Sequence, residues 1–206
     1  MGSIFLSASI PVVGRGTYYE DADPFLIQFA VREFLVAVLG RRLIVWGGHP
    51  AITPMVWSVC EDLGVEYAHS VKLFQSRLFE DRFPEENEKF ANVRRIDAVD
   101  GDRDKSLLAM RKNMLDGEFE AGVFIGGMEG IEQEYAIFKE LHPQAKVVAL
   151  GAPGGAARRL ARDLDEDIER IDFLHLFTDR LNIDITERRN PSLADNGGGV
   201  HLSLGN

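Results

Sequence analysis

Three times along this chain a short apolar run ends in a pair of glycines and gives way to a helical pattern. Arg42 to Trp46 runs into Gly47-Gly48, and Ala121 to Ile125 runs into Gly126-Gly127. Lys146 to Leu150 runs into Gly151-Ala152-Pro153-Gly154-Gly155. Strands that alternate with crossover helices lie parallel, and a parallel sheet needs both faces covered. The grammar predicts an α/β fold, a Rossmann-like three-layer sandwich with a mainly parallel sheet.

The remaining segments fit the same plan. Ile4-Phe5-Leu6 reads as a first buried strand that runs into the small-residue turn Ser7-Ala8-Ser9. Asp23-Pro24 supplies an N-cap and a first-turn proline for a helix from Phe25 to Leu39, closed by Gly40. Ile52 to Leu63 is a helix stopped by Gly64, and Val65 to Phe74 holds a third strand. Val93 to Val99 is a strand, and Asp104 to Leu115 a helix. Ile131 to Leu141 forms another helix, and one more begins at Ala156. Ile168 to Leu181 has the spacing of one amphipathic helix that packs on the domain or on a partner. Residues 1–181 are thus expected to form one domain. Residues 182–206 are expected to form a polar tail, partly disordered around the Gly-rich Asn196 to Gly199.

Composition narrows the partners. A net charge of −10 disfavours a nucleic-acid surface, which needs surplus Lys and Arg to neutralise phosphates. No apolar run approaches the ~18 residues of a membrane span. The N-terminus lacks the basic region of a signal peptide, so a cytoplasmic setting is expected. Cys60 stands alone in an apolar helix and reads as a buried small residue. His69, His142, His175 and His201 show no metal-ligand spacing, so neither a metal nor another cofactor is expected.

In an open parallel sheet, ligands bind at the carboxyl ends of the strands. Glycine there admits an anion to the backbone, and the following helix offers unpaired N–H groups. The three glycine turns therefore predict a nucleotide or phosphate site formed by turns side by side on one edge. His49 and Thr53 follow the first turn, either as ligand contacts or as turn and helix caps. Gln75-Ser76-Arg77 follows the third strand, with Glu80 nearby, and points at the same rim. Arg15, Tyr18 and Tyr19 lie in the first long loop, as a clamp on a base or phosphate or as plain surface residues.

Arg111-Lys112 on a helix, the strand Ala121 to Ile125, and then Gly126-Gly127-Met128-Glu129-Gly130-Ile131-Glu132-Gln133-Glu134 resemble the centre of the LOG-like phosphoribohydrolases. Those proteins carry Arg-Lys, a strand and P-G-G-x-G-T-x-x-E. Trp46-Gly47-Gly48 and Ile4 to Ser9 resemble that family's first glycine turn and its opening strand. The likeness spans roughly residues 3–160. Three departures stand out. Phe124-Ile125 replaces the residue and Pro before the glycines, Glu129 is an insertion, and Ile131 stands for the Thr. With these, and with the turn Gly47 to Pro54, the chain is more similar to the wider SLOG superfamily than to true LOG enzymes.

The resemblance implies that Gly126, Gly127 and Gly130, with Met128 and Glu129, form a phosphate-binding turn. Arg111 would contact phosphate or sugar, and Glu134 would face the ribose. Ser7, Ser9, Gly47, Gly48, His49, Thr53, Gln75, Ser76, Gly154 and Gly155 complete the implied ligand shell. The implied function is sensing of a nucleotide-derived signal, such as an ADP-ribose derivative or cyclic nucleotide, in a bacterial-defence setting. The alternative is a nucleotide N-glycosidase or phosphoribohydrolase with Glu134 and Arg111 as its working residues, since carboxylates stabilise oxocarbenium-like centres. The residues leave open whether a bond is broken. The resemblance also implies a homodimer, with the helix Ile168 to Leu181 as a surface to bury.

Overall fold

The computed structural model describes residues 2–191 and Leu193. Six parallel strands form one sheet: β1 (Ser3–Ser9), β2 (Leu43–Trp46), β3 (Val71–Ser76), β4 (Asn92–Ile96), β5 (Phe119–Gly126) and β6 (Lys146–Ala149). Their order is β4-β3-β2-β1-β5-β6. From β1 the chain steps outward to β4 and then returns to β5 on the other side of β1. The β1/β5 boundary is therefore the topological switch point, where connections depart to opposite faces.

Six helices cover the sheet: α1 (Pro24–Val38), α2 (Thr53–Leu63), α3 (Arg103–Met114), α4 (Glu129–Leu141), α5 (Gly155–Asp163) and α6 (Phe173–Leu181). Strand parity sorts the core into two layers. Ile4, Leu6 and Ala8 of β1 pack with α1, α2 and α6. Phe5 faces the layer of α3, α4 and α5. There it stacks on Phe138 with ring centroids 5.6 Å apart. The same parity sends Ser7 toward α4, where its hydroxyl meets Glu134. Among the described residues no helix is long and apolar enough to cross a membrane.

Two segments depart from the sequence reading. Val65 to Phe74 is not one strand: Val65–Ser70 form a 3-10 turn before β3 begins. Gly64 has φ +134°, and the Ser70 hydroxyl donates to Tyr67 O while accepting from Gly40 N. That local bonding outcompetes the apolar run. Ile168 to Leu181 is helical only from Phe173. Ile168 instead folds against the turn after β6, where a Cβ on Gly151 would lie 2.4 Å from Ile168 Cα. Phe173, Leu176, Phe177 and Leu181 are buried within the domain's own core. Phe177 meets Phe34 of α1 edge-on at 5.4 Å. The apolar face expected to serve a second copy is thus used within the chain.

Residues after α6 continue along the end of α1. Ile183 is buried, and Asn190 N–H donates to Gly40 O. The buried Arg41 guanidinium donates to Val36 O, Ala37 O, Ile185 O and Glu187 O. It thereby satisfies carbonyls at the helix end and ties residues 185–187 to it. The Gly-rich stretch Asn196 to Gly199 lies outside the described residues.

Candidate functional site

A cleft of about 400 Å³ opens at the carboxyl edge of the sheet. It lies within the usual range for small-molecule sites, roughly 300–1,000 Å³. Its floor is the end of β1 and the turn after β2. The ends of β3, α3 and α4 supply the walls.

A cluster of polar groups centres on Glu134, one turn into α4. Ser7 Oγ donates to Glu134 Oε2 at 2.5 Å, and Arg111 Nε donates to Glu134 Oε1 at 3.1 Å. Arg111 Nη1 also donates to Gln133 Oε1 at 2.6 Å. The Arg111 and Glu134 side chains are only 10% and 16% exposed, so the pair meets with little solvent screening. Gly130 lets the pair approach the helix, because a Cβ there would stand 3.1 Å from Arg111 Nη2.

Twelve residues of the implied ligand shell come together here: Ser7, Ser9, Gly47, Gly48, His49, Gln75, Ser76, Arg111, Met128, Glu129, Gly130 and Glu134 all line the cleft. Thr53 does not. Its hydroxyl donates to His49 O at 2.9 Å and accepts from His49 N, so it locks the turn that carries His49. Gln75 has a scaffolding role beside its position in the wall. Its amide donates to Gly47 O and accepts from Asn87 Nδ2. Gly48 has φ +72°, and its missing Cβ leaves room for the Gln75 amide.

The other glycine pairs are occupied differently. Gly47 and Gly127 do lie on the same edge of the sheet, at the ends of β2 and β5. Yet Gly126, Gly127, Gly154 and Gly155 are absent from the cleft lining. Gly127 N–H donates to Ser9 O, and Gly127 O accepts from Ala156 N–H. Gly155 N–H donates to the Asp21 carboxylate. These glycines let two βα turns and the first loop pack backbone to backbone, which sequence alone cannot distinguish from an anion turn.

Tyr18 likewise turns inward. It is buried, donates to Glu132 Oε1 at 3.1 Å, and carries the Arg159 guanidinium 4.2 Å above its ring. Arg15 reaches the cleft beside Glu129, at 3.8 Å. Phe79, Arg82, Phe83, Arg103, Leu107 and Gln133 line the cleft and were not foreseen. For Phe79 to Phe83 and Arg103 the signal existed: they follow the ends of β3 and β4, on the same rim.

His49 is half-buried, and its Nδ1 accepts from Ala51 N–H. Burial pushes its imidazole below the ordinary range, because a poorly solvated site disfavours the charged ring. The unfolded chain protonates this histidine first as pH falls, so its contribution to stability is complete above pH ~6.5 and declines below it. We expect the His49 NMR titration midpoint to fall below that of free histidine. A His49→Asn variant should lose less Tm than wild type between pH 7 and 5. An equal or larger loss would contradict this reading.

Together these features define a Rossmann-like domain with a cleft at the carboxyl edge of its parallel sheet. The chain belongs to the SLOG cluster3 family, whose model matches residues 17–181. That match leaves out β1, the strand that supplies Ser7. No curated protein and no solved structure matches the chain.

Proposed function

We propose that the cleft binds a nucleotide or nucleotide-derived signalling ligand and that the domain acts as a sensor. The observation that carries this is the Ser7–Glu134–Arg111 cluster at the switch point. It is a carboxylate held rigidly by two donors and exposed just enough to accept from a ribose hydroxyl. Such pre-ordering lowers the entropic cost of binding. Family membership supports the nucleotide class.

Sensing is favoured over bond cleavage because the charge of Glu134 is already compensated by Arg111 and Ser7. A carboxylate neutralised in the ground state has less to offer a developing oxocarbenium ion. Ile131 adds to this. It is 2% exposed and packs against Gly127, so at that position the first turn of α4 presents the cleft with an apolar side chain and no hydroxyl. The hydrolase reading keeps one argument, the presence of both Arg111 and Glu134 in one cleft.

Calorimetry with a panel of nucleosides, nucleotides, cyclic nucleotides and ADP-ribose, paired with chromatography for released base, separates the readings. Binding without base release is expected. Base release at a catalytic rate would establish the hydrolase, and no binding across the panel would end the nucleotide reading.

A further inference from the structure

The cleft is lined by four arginines and three carboxylates, in a chain whose net charge is −10. The four arginines are not equivalent. Arg111 is paired with Glu134 at 3.1 Å and Arg15 with Glu129 at 3.8 Å, so the end of the cleft at α4 has its positive charge neutralised in place. Arg82 and Arg103 lie on the other walls. Among the described residues, their ion pairs are with their sequence neighbours Asp81, at 3.7 Å, and Asp104, at 3.2 Å. Those aspartates are 75% and 90% exposed. Ion pairs this open to water hold their partners weakly. Arg82 and Arg103 are therefore cations that an incoming anion can recruit.

The glycine turn offers an anion less than the sequence suggests. Gly127 N–H is already bonded to Ser9 O, and Glu129 and Glu132 occupy the first turn of α4. Carboxylates there offset the helix dipole and repel a phosphate. Phe79 and Phe83 flank Arg82 in sequence and Leu107 lies one helical turn from Arg103; all three line the cleft and offer an apolar surface suited to the flat face of a base.

We propose that the ligand lies with its sugar at Ser7 and Glu134 and its phosphate at Arg82 and Arg103, away from the Gly126–Gly130 turn. The ligand class is a nucleotide whose phosphate is remote from the hydroxyls that Glu134 reads. This rests on the nucleotide reading above and adds a polarity to it.

The test uses the full chain and the probes adenosine, AMP, ADP, guanosine, GMP and GDP, titrated by calorimetry at two salt concentrations. Arg82→Ala/Arg103→Ala should weaken the preferred nucleotide about tenfold or more, as expected for lost charge-assisted contacts. It should flatten the salt dependence and leave the matching nucleoside unchanged. Arg82→Lys/Arg103→Lys should restore part of the affinity. Both side chains are largely exposed, so folding is expected to survive, and circular dichroism checks it. If nucleotides bind wild type and the double alanine variant equally well, the polarity is wrong while the nucleotide reading stands. If none of the six binds wild type, the polarity is overturned for these nucleotides, and the nucleotide reading itself is decided by the wider panel that includes cyclic nucleotides and ADP-ribose.

Discussion

Arg111→Ala is expected to cost this domain both its ligand and part of its stability. The substitution leaves the Glu134 carboxylate, 16% exposed, with the Ser7 hydroxyl as its remaining side-chain donor. Removing one member of a poorly solvated ion pair strands the other, and the penalty is typically about 3 kcal/mol. Urea denaturation would show it as a lowered midpoint at unchanged slope. Ligand affinity should fall about ten- to a hundredfold, because Glu134 is no longer held in place. Glu134→Gln separates the functional readings. The amide keeps the shape, but its single oxygen can accept from Ser7 or from Arg111 and not from both. In a sensor, binding weakens modestly. In a hydrolase, turnover disappears while binding stays, because the carboxylate charge matters most as the transition state develops. An Arg111→Ala protein as stable as wild type, with unaltered affinity, would remove this cluster from the centre of the site.

Gly154→Ala should produce the largest loss of stability of any single methyl addition at the rim. Gly154 has φ 79° and ψ −160°, a region that only glycine populates readily, at about 1–3 kcal/mol for other residues. Its added Cβ would also stand 1.9 Å from the backbone oxygen of Asp21. The first loop would have to move, and with it the Asp23 N–H bond to Pro153 O. A loss of about 3 kcal/mol or more is expected in urea denaturation. Gly14→Ala is the control: its φ is +88° but nothing lies within 4 Å of the new Cβ, so about 1 kcal/mol is expected. Ligand affinity of folded Gly154→Ala protein should be near that of wild type, since Gly154 does not line the cleft. A selective loss of affinity with stability intact would return this turn to the binding site.

The elements that were easy to read had redundant local signals. Asp23-Pro24 starts α1 as its side chain implies, with the carboxylate accepting from Phe25 and Leu26 N–H. The misread segments were those where a distant contact outweighed local pattern. Ile168 to Arg170 have helical spacing, but Arg158 donates to Ile168 O and pairs with Glu169 across the chain. The polar residues after α6 look dispensable in sequence, yet Arg41 and Arg189 bind the end of α1 through them or beside them.

The candidate site divides along the same line. Arg111, Gly130 and Glu134 were legible because their spacing around a strand matches a known motif. Arg82 and Arg103 belong to no motif; their places after β3 and β4 point to the rim, but only the fold shows that both side chains line the cleft. Tyr18 reads as either a ligand clamp or a plain surface residue, and tertiary packing instead buries it under Arg159.

By itself, the order of apolar runs, glycine pairs and helical stretches determined a parallel α/β sheet with its working edge at the strand ends. Strand periodicity and turn chemistry are local, so they can be read one segment at a time. Tertiary structure alone decided which glycines line the cleft and which face another backbone. It also decided which arginines are already neutralised. The reason is physical: conformational freedom belongs to a residue, but whether a turn stays open, or a charge stays unpaired, depends on neighbours brought in from other elements, as Glu134 is to Arg111 and Asp21 to Gly155.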